Sequence, residues 1–247
     1  MKRSIDRILT THTGSLPRPG YLLEQLRASA LTDAGLRGAV RKAVADVVQK
    51  QLEAGIDIVG DGEQGKPDYS TYIKDRLSGF GGDPVNWGPT RDQLEFPDYA
   101  EAMNKLPSGR PSGRPCIGPV VWKDFGAVER DIEHLRQAVA NAGGPGEVFM
   151  TAVSPGQAAR FMPNRYYASD EQYLQALADA LSAEYQAIVG AGFILQLDCP
   201  DLASSWNNQY RHLALPEFRK AIEMHVEVLN EAVKEIPPEK MRLHLCW

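Results

Sequence analysis

Apolar positions along the chain fall into a phrase that recurs three times: a helical stripe, a turn, a short β-branched run, and then a chemically unusual residue. In the first occurrence Val40, Ala43, Val44, Val47, Val48 and Leu52 repeat at helical spacing and Gly55 stops the helix. Ile56-Asp57-Ile58-Val59 then predicts a strand that delivers Asp61 and Glu63. In the second, Ser169 and Asp170 supply capping chemistry for a stripe of Tyr173, Leu174, Leu177, Leu181, Tyr185, Ile188 and Val189. Gly190-Ala191-Gly192 breaks that helix, and Phe193-Ile194-Leu195-Gln196-Leu197 ends in Asp198. The third starts after Pro216, runs through Ile222, Val226, Leu229 and Val233, and breaks at Pro237-Pro238. It resumes over 241–247, where the unusual residues are His244 and Cys246.

A repeated helix-then-strand order predicts parallel strands joined by helical crossovers, hence an α/β protein. Two further strands fit the scheme: Ile8-Leu9-Thr10-Thr11 ahead of Gly14-Ser15, and Val148 to Val153 ahead of Ser154-Pro155-Gly156. Every polar cluster then falls at the C-terminal end of a strand, where α/β barrels and open α/β sheets both place their active sites. The segment 79–115 is rich in Gly and Pro and carries Ser-Gly-Arg-Pro twice, at 108–111 and 112–115. It reads either as an insertion over the site mouth or as a variable surface loop. Cys116 to Val121 is a candidate extra strand outside the main sheet.

Composition narrows the partners. The 247 residues are 43% hydrophobic and 24% charged with a formal net charge of −5, enough apolar material for a substantial core. No apolar run approaches the roughly 20 residues of a membrane-spanning helix, and the opening residues lack the apolar stretch of a signal peptide, so a cytoplasmic protein is expected. A pI near 5.6 with interspersed charges leaves no electrostatic footprint for nucleic acid or an anionic membrane, which points to small-molecule partners. Cys116, Cys199 and Cys246 are an odd, widely spaced set, which argues against a disulfide framework. Oligomeric state is not encoded in any of these features.

Gly60-Asp61-Gly62-Glu63-Gln64-Gly65 matches the spacing of a dinucleotide-binding loop but not its chemistry. Asp61 and Glu63 would set two carboxylates beside a pyrophosphate, and Lys66-Pro67-Asp68 is not the small-residue helix start that loop needs. Glu63 is instead a carboxylate suited to an ammonium or a metal, or part of a solvated acidic turn. Asp198 closes a buried run, where desolvation calls for a partner or a cation. Cys199 points to the opposite side of its strand and reads as a packing residue, as does Cys116. His244 and Cys246, separated by one residue on a strand, share a face and could converge on a tetrahedral ion such as Zn²⁺; the alternative is a core histidine beside a buried cysteine. His12, just before Gly14-Ser15, is the other histidine at a strand end.

Four of these segments, in order, resemble the C-terminal catalytic barrel of cobalamin-independent methionine synthases and their single-barrel relatives. They are Thr10-Thr11-His12-Thr13-Gly14-Ser15-Leu16-Pro17, Gly62-Glu63, Leu197-Asp198-Cys199-Pro200 and His244-x-Cys246. The resemblance implies a (β/α)₈ TIM barrel, here about its first five strand-helix units in one domain over 1–247, with 79–115 inserted after the second. It implies zinc-dependent methyl transfer from a methyl-folate to the thiol of homocysteine, giving methionine, with the metal holding the thiol as thiolate. Ser15 would help hold the amino-acid carboxylate, Glu63 and Asp198 would pair with its ammonium, and His244 and Cys246 would be zinc ligands. No residue is nominated as catalytic in the covalent sense. The family's further zinc donors, a Glu and a Cys on later strands, have no counterpart before Trp247, so the ligand set is expected to be incomplete and the isolated fragment could be inactive. Asp-Cys-Pro in place of Asp-Glu-Pro, and His12 within the first motif, point to a divergent branch. Alkyl transfer between an epoxide and another thiol, or a non-catalytic barrel, therefore stand as alternatives.

Overall fold

The computed structural model describes residues 1–28, 34–85, 88–105, 113–144 and 146–246. In chain order the elements are α1 (Gly20–Ala28), α2 (Ala34–Glu53), β1 (Ile58–Gly60), α3 (Ile73–Arg76), α4 (Arg91–Glu95), α5 (Pro97–Lys105), α6 (Gly126–Asn141), β2 (Glu147–Val153), α7 (Pro155–Phe161), α8 (Asp170–Gly190), β3 (Ile194–Asp198), α9 (Asp201–Ser204), α10 (Leu215–Val233) and β4 (Met241–His244). The three repeated phrases become α2–β1, α8–β3 and α10–β4. Ser169 caps α8 as its chemistry requires, its side chain accepting from the Gln172 N–H at 3.2 Å.

The four strands form one parallel sheet in the order β1-β2-β3-β4. This is the α/β architecture expected from the pattern. The sheet is open, and among the described residues no barrel is closed. Alternation along the strands sorts the residues onto two unlike faces. Val59, Val148, Met150, Ala152, Leu195 and Leu197 join the main core with residues of α2, α6 and α8. Ile58, Phe149 and Ile194 form a separate small cluster on the other face. There Arg242 lays its guanidinium 3.8 Å from the Phe149 ring centroid and donates through Nε to Gln196 Oε1 at 2.9 Å. The same guanidinium reaches the Thr11 hydroxyl at 3.2 Å and the His12 carbonyl at 3.4 Å, so the last strand meets the first segment across this face.

Two expected strands do not form. Ile8 to Thr11 makes a single parallel bridge, Thr11 to Ile58, and the Thr10 carbonyl accepts from the N–H groups of Asp57 and Ile58, each at 3.1 Å. Ile8 is 84% exposed, with no layer to be buried against, and the Asp57 carboxylate takes the Thr10 N–H at 2.7 Å and pairs with Arg7. Side-chain bonds to one aspartate hold this segment where a ladder was expected. Cys116 to Val121 likewise makes isolated bridges only, Cys116 to Phe80 and to Asn164, with Pro119 unable to donate to a ladder. The expected five barrel strands are thus four strands and one bridge.

Of the segment 79–115, residues 86–87 and 106–112, which include most of the Ser-Gly-Arg-Pro repeat, lie outside the described residues, as does Trp247. The described part holds α4 and α5. It is fastened to the chain beyond α9: Arg91 stacks 4.3 Å from the Trp206 ring centroid and donates to the carbonyls of Arg211 and Leu213. Among the described residues no helix is long and apolar enough to cross a membrane.

Candidate functional site

Asp61, Glu63, Asp198, His244 and Cys246 lie at or just beyond the end of a strand, because a buried parallel strand can carry polar chemistry most readily where it leaves the core. β1 ends at Gly60, where a Cβ would meet the Phe149 ring at 2.9 Å, and the chain turns at once through Asp61, Gly62 and Glu63. Asp61 accepts the Glu63 N–H at 3.0 Å, and burial pushes its carboxyl up to about 6. Gly62 and Glu63 both adopt left-handed backbone, φ 60° and 55°, and Glu63 is the one non-glycine residue to do so among the described residues. Such backbone is unfavourable for a side chain and persists where the surroundings over-determine it. No helix N-terminus follows this loop: the next helix, α3, starts at Ile73. The geometry agrees with the chemistry in setting aside a dinucleotide loop.

Glu63 is nearly fully buried. Its Oε1 accepts from the Thr151 hydroxyl at 2.8 Å and its Oε2 from the Ser15 hydroxyl. Gly14 leaves room for it, since a Cβ there would lie 2.7 Å from Glu63 Oε1. Arg18 ties the loop down from outside, donating to the carbonyls of Glu63 and Lys66.

Asp198 ends β3 in register with His244 at the end of β4. The Asp198 carboxylate accepts from Gln196 Nε2 at 2.8 Å and faces His244 Nδ1 at 3.2 Å. Burial, reinforced by the Glu63 charge, raises it to about 7. Burial and the Arg242 charge lower the His244 imidazole below its ordinary value. Cys246 lies two residues beyond the strand and is exposed.

These stretches meet. A cavity of about 220 Å³ is lined by Ser15, Glu63, Asp198, His244 and Cys246, the whole set nominated from the sequence, together with Thr13, Gly14, Tyr69 and Pro200. Tyr69 was not nominated. Its hydroxyl accepts from Gln157 Nε2 at 2.9 Å, and burial pushes it up to about 12. Thr151 and Lys66, which stand behind Glu63, were also missed: a threonine in an apolar run reads as a strand former, and only its place on the same face as Phe149 signals otherwise. His12 goes elsewhere. It lines a larger, mostly apolar cavity of about 490 Å³ against α2, with Nε2 at 2.8 Å from Gln51 Oε1. Cys116 and Cys199 are both buried.

Carboxyl oxygens, an imidazole and a thiol line the same cavity, with the Asp198 carboxyl and the His244 imidazole side by side. Nitrogen and sulfur donors are the kind zinc takes, but two donors are half of a tetrahedral shell. Among the described residues no group of three or more His, Cys, Asp or Glu is placed to hold a metal ion. The residues present therefore do not make a complete metal centre, and no chemical step is assigned through one.

No family model matches the chain. Curated relatives do. A methionine synthase from Saccharolobus islandicus is 27% identical over 242 residues, covering 96% of this chain and 62% of its own length. One from Sulfurisphaera tokodaii is 26% identical, with 96% and 61% covered. Among solved structures, a B12-independent methionine synthase from Shewanella sp. W3-18-1 superposes with a TM-score of 0.70 at 22% identity, over 96% of this chain and 61% of that one. A putative vitamin-B12 independent methionine synthase from Listeria monocytogenes gives 0.64 at 21%, over 97% and 66%. The chain is thus an α/β protein with the fold of B12-independent methionine synthases. In sequence it is related to methionine synthases along nearly its whole length, and it spans about 62% of the length of the curated relatives it matches.

Proposed function

We propose that the cavity binds the amino-acid end of a thiol amino acid, and that the protein acts in methionine synthesis by transferring a methyl group to the thiol of homocysteine. The observation that carries this reading is the convergence of Ser15, Glu63, Asp198, His244 and Cys246 on one cavity. Glu63 and Asp198 present carboxyl oxygens to an ammonium, a charge-assisted contact of the strong kind. Ser15 supports Glu63 by donating to it, and turns to a ligand carboxylate only by releasing that bond. His244 and Cys246 stand where the thiol end would lie. Support comes also from the relatives named methionine synthase, and from the Shewanella enzyme, which is described in complex with selenomethionine.

A methyl-folate as methyl donor, and zinc with His244 and Cys246 as two of its ligands, complete the reading. When bound, zinc would lower the pKa of a coordinated thiol and hold it as thiolate. The residues of this chain orient the amino acid.

Calorimetric titration with L-methionine and L-homocysteine tests the binding half, and methyl transfer from a methyl-folate to homocysteine, with and without added zinc, tests the rest. The expected result is binding of both amino acids, weakened about tenfold or more by Glu63→Gln or Asp198→Asn through loss of a charged hydrogen-bond partner. Failure to bind either amino acid would falsify the reading.

A further inference from the structure

Lys66 and Thr151 decide how Glu63 presents itself to the cavity. Lys66 is 1% exposed. Its Nζ donates to the Thr151 carbonyl at 2.5 Å and to the Thr151 hydroxyl at 3.2 Å, with the Tyr72 ring centroid 4.5 Å away. An ammonium has only donors to offer. The Thr151 oxygen therefore accepts on that side, and its single hydrogen is left for the neighbour on the other, Glu63 Oε1 at 2.8 Å. The direction of the relay from Lys66 through Thr151 to Glu63 is set by the charge at its start. On the second oxygen the Ser15 hydroxyl also donates. Glu63 accepts on both sides, the pattern of a carboxylate committed to accepting.

The backbone makes the same demand. Glu63 is held at φ 55° beside Gly62 at φ 60°, and Gly14 is the residue that leaves its carboxylate room. An unfavourable backbone angle and a missing Cβ both serve one side-chain placement. A wall of committed acceptors discriminates by what it lacks. A ligand without a donor forgoes the charge-assisted contact these oxygens offer beyond their Thr151 and Ser15 bonds, and sites built to bond a polar group reject analogues that lack it far more strongly than apolar pockets reject a changed methylene.

We infer that Thr151, oriented by Lys66, is a positioning residue that holds Glu63 as a fixed acceptor. The cavity thereby selects ligands with a primary ammonium over the same skeleton without it. This rests on the amino-acid reading above and adds the group that enforces it.

The test is calorimetric titration of the 247-residue chain with L-methionine and with its deaminated counterpart, methylthiobutanoate. Wild-type protein is expected to prefer L-methionine. Thr151→Val, nearly isosteric, is expected to weaken L-methionine about tenfold or more while moving methylthiobutanoate by about twofold at most, so that the preference collapses. Thr151→Ser keeps the hydroxyl and is expected to keep the preference. Lys66→Met leaves Thr151 in place but frees its hydroxyl to turn, lowering the preference by a smaller factor; it stands in should the valine variant fail to fold. A role confined to packing would weaken both ligands together, so an unchanged ratio in Thr151→Val, or in Lys66→Met in its place, overturns the inference and leaves the amino-acid reading standing. Wild-type protein that binds neither ligand overturns both.

Discussion

Two aspartate-histidine pairs lie side by side in this molecule and do opposite things. Asp198 and His244 meet at 3.2 Å where strands β3 and β4 end, and the His244 side chain is 24% exposed at the cavity. Asp201 and His225, rooted three residues further on and in α10, meet at 2.8 Å and are 1% and 3% exposed. The closed pair is fully engaged. The Ser154 hydroxyl donates to the other Asp201 oxygen at 2.8 Å, and Tyr210 OH lies 3.2 Å from the other His225 nitrogen. It joins the start of α7, the start of α9, and α10. Gly156 makes the closeness possible, since a Cβ there would collide with both Asp201 and His225. The difference teaches that this pairing defines no site by itself. Access does: one pair is a strut, the other borders a space a ligand can enter.

The strongest way to break the comparison is Asp201→Ala. Removing one member of the closed pair leaves His225 and Ser154 buried without their partner, and a loss of about 3 kcal/mol is expected in chemical denaturation. A loss under about 1 kcal/mol would show the strut to be dispensable.

Next in size is the pH dependence of the open pair. The Asp198 carboxyl is raised from 3.8 to about 7, mainly by burial. The folded protein therefore keeps a proton that the unfolded chain releases, and this contribution is fully present below about pH 4 and lost as pH rises through about 7. Asp198→Asn is expected to match wild type near pH 4 and to exceed it by about 2 kcal/mol near pH 8. Parallel stability curves for the two proteins across this range would remove Asp198 as the source.

The smallest effect is at the edge of the strut. Tyr210→Phe deletes the hydroxyl facing His225 and is expected to cost about 1 kcal/mol, read as a shift in denaturation midpoint at unchanged slope. No shift would place the outer end of the network in water.

Much of this architecture can be read from the residues, and the exceptions share a cause. β2 and β3 are continuous apolar runs bounded by turns, and burial on both faces leaves no other use for them. α8 announces its start with Ser169 and its end with Gly190-Ala191-Gly192. Ile8 to Thr11 has the same local pattern, but its fate depends on Asp57, 47 residues away from Thr10, which takes its hydrogen bonds. The nominated site residues sit at strand ends, where acids and a His-x-Cys pattern stand out against an apolar background. Thr151 does not stand out, because threonine is ordinary in a strand, and Lys66 resembles a solvated lysine in a polar turn. Asp201 and His225 are 24 residues apart on two different helices, α9 and α10, a separation at which no periodicity links them.

Arg242 carries a consequence of another kind. Its contacts with Thr11 and His12 join positions 231 and 230 residues apart, nearly the two ends of the described chain. Closure entropy grows only with the logarithm of loop length, so distance alone is a modest penalty. Order of events is the stronger constraint: the guanidinium reaches Thr11 only when β4 has registered on β3 and Phe149 is in place beneath it. The opening residues therefore gain this anchor only once the last strand is in place, and detaching them costs their hydrogen bonds to its guanidinium. This contact couples the stability of the opening segment to that of the last strand.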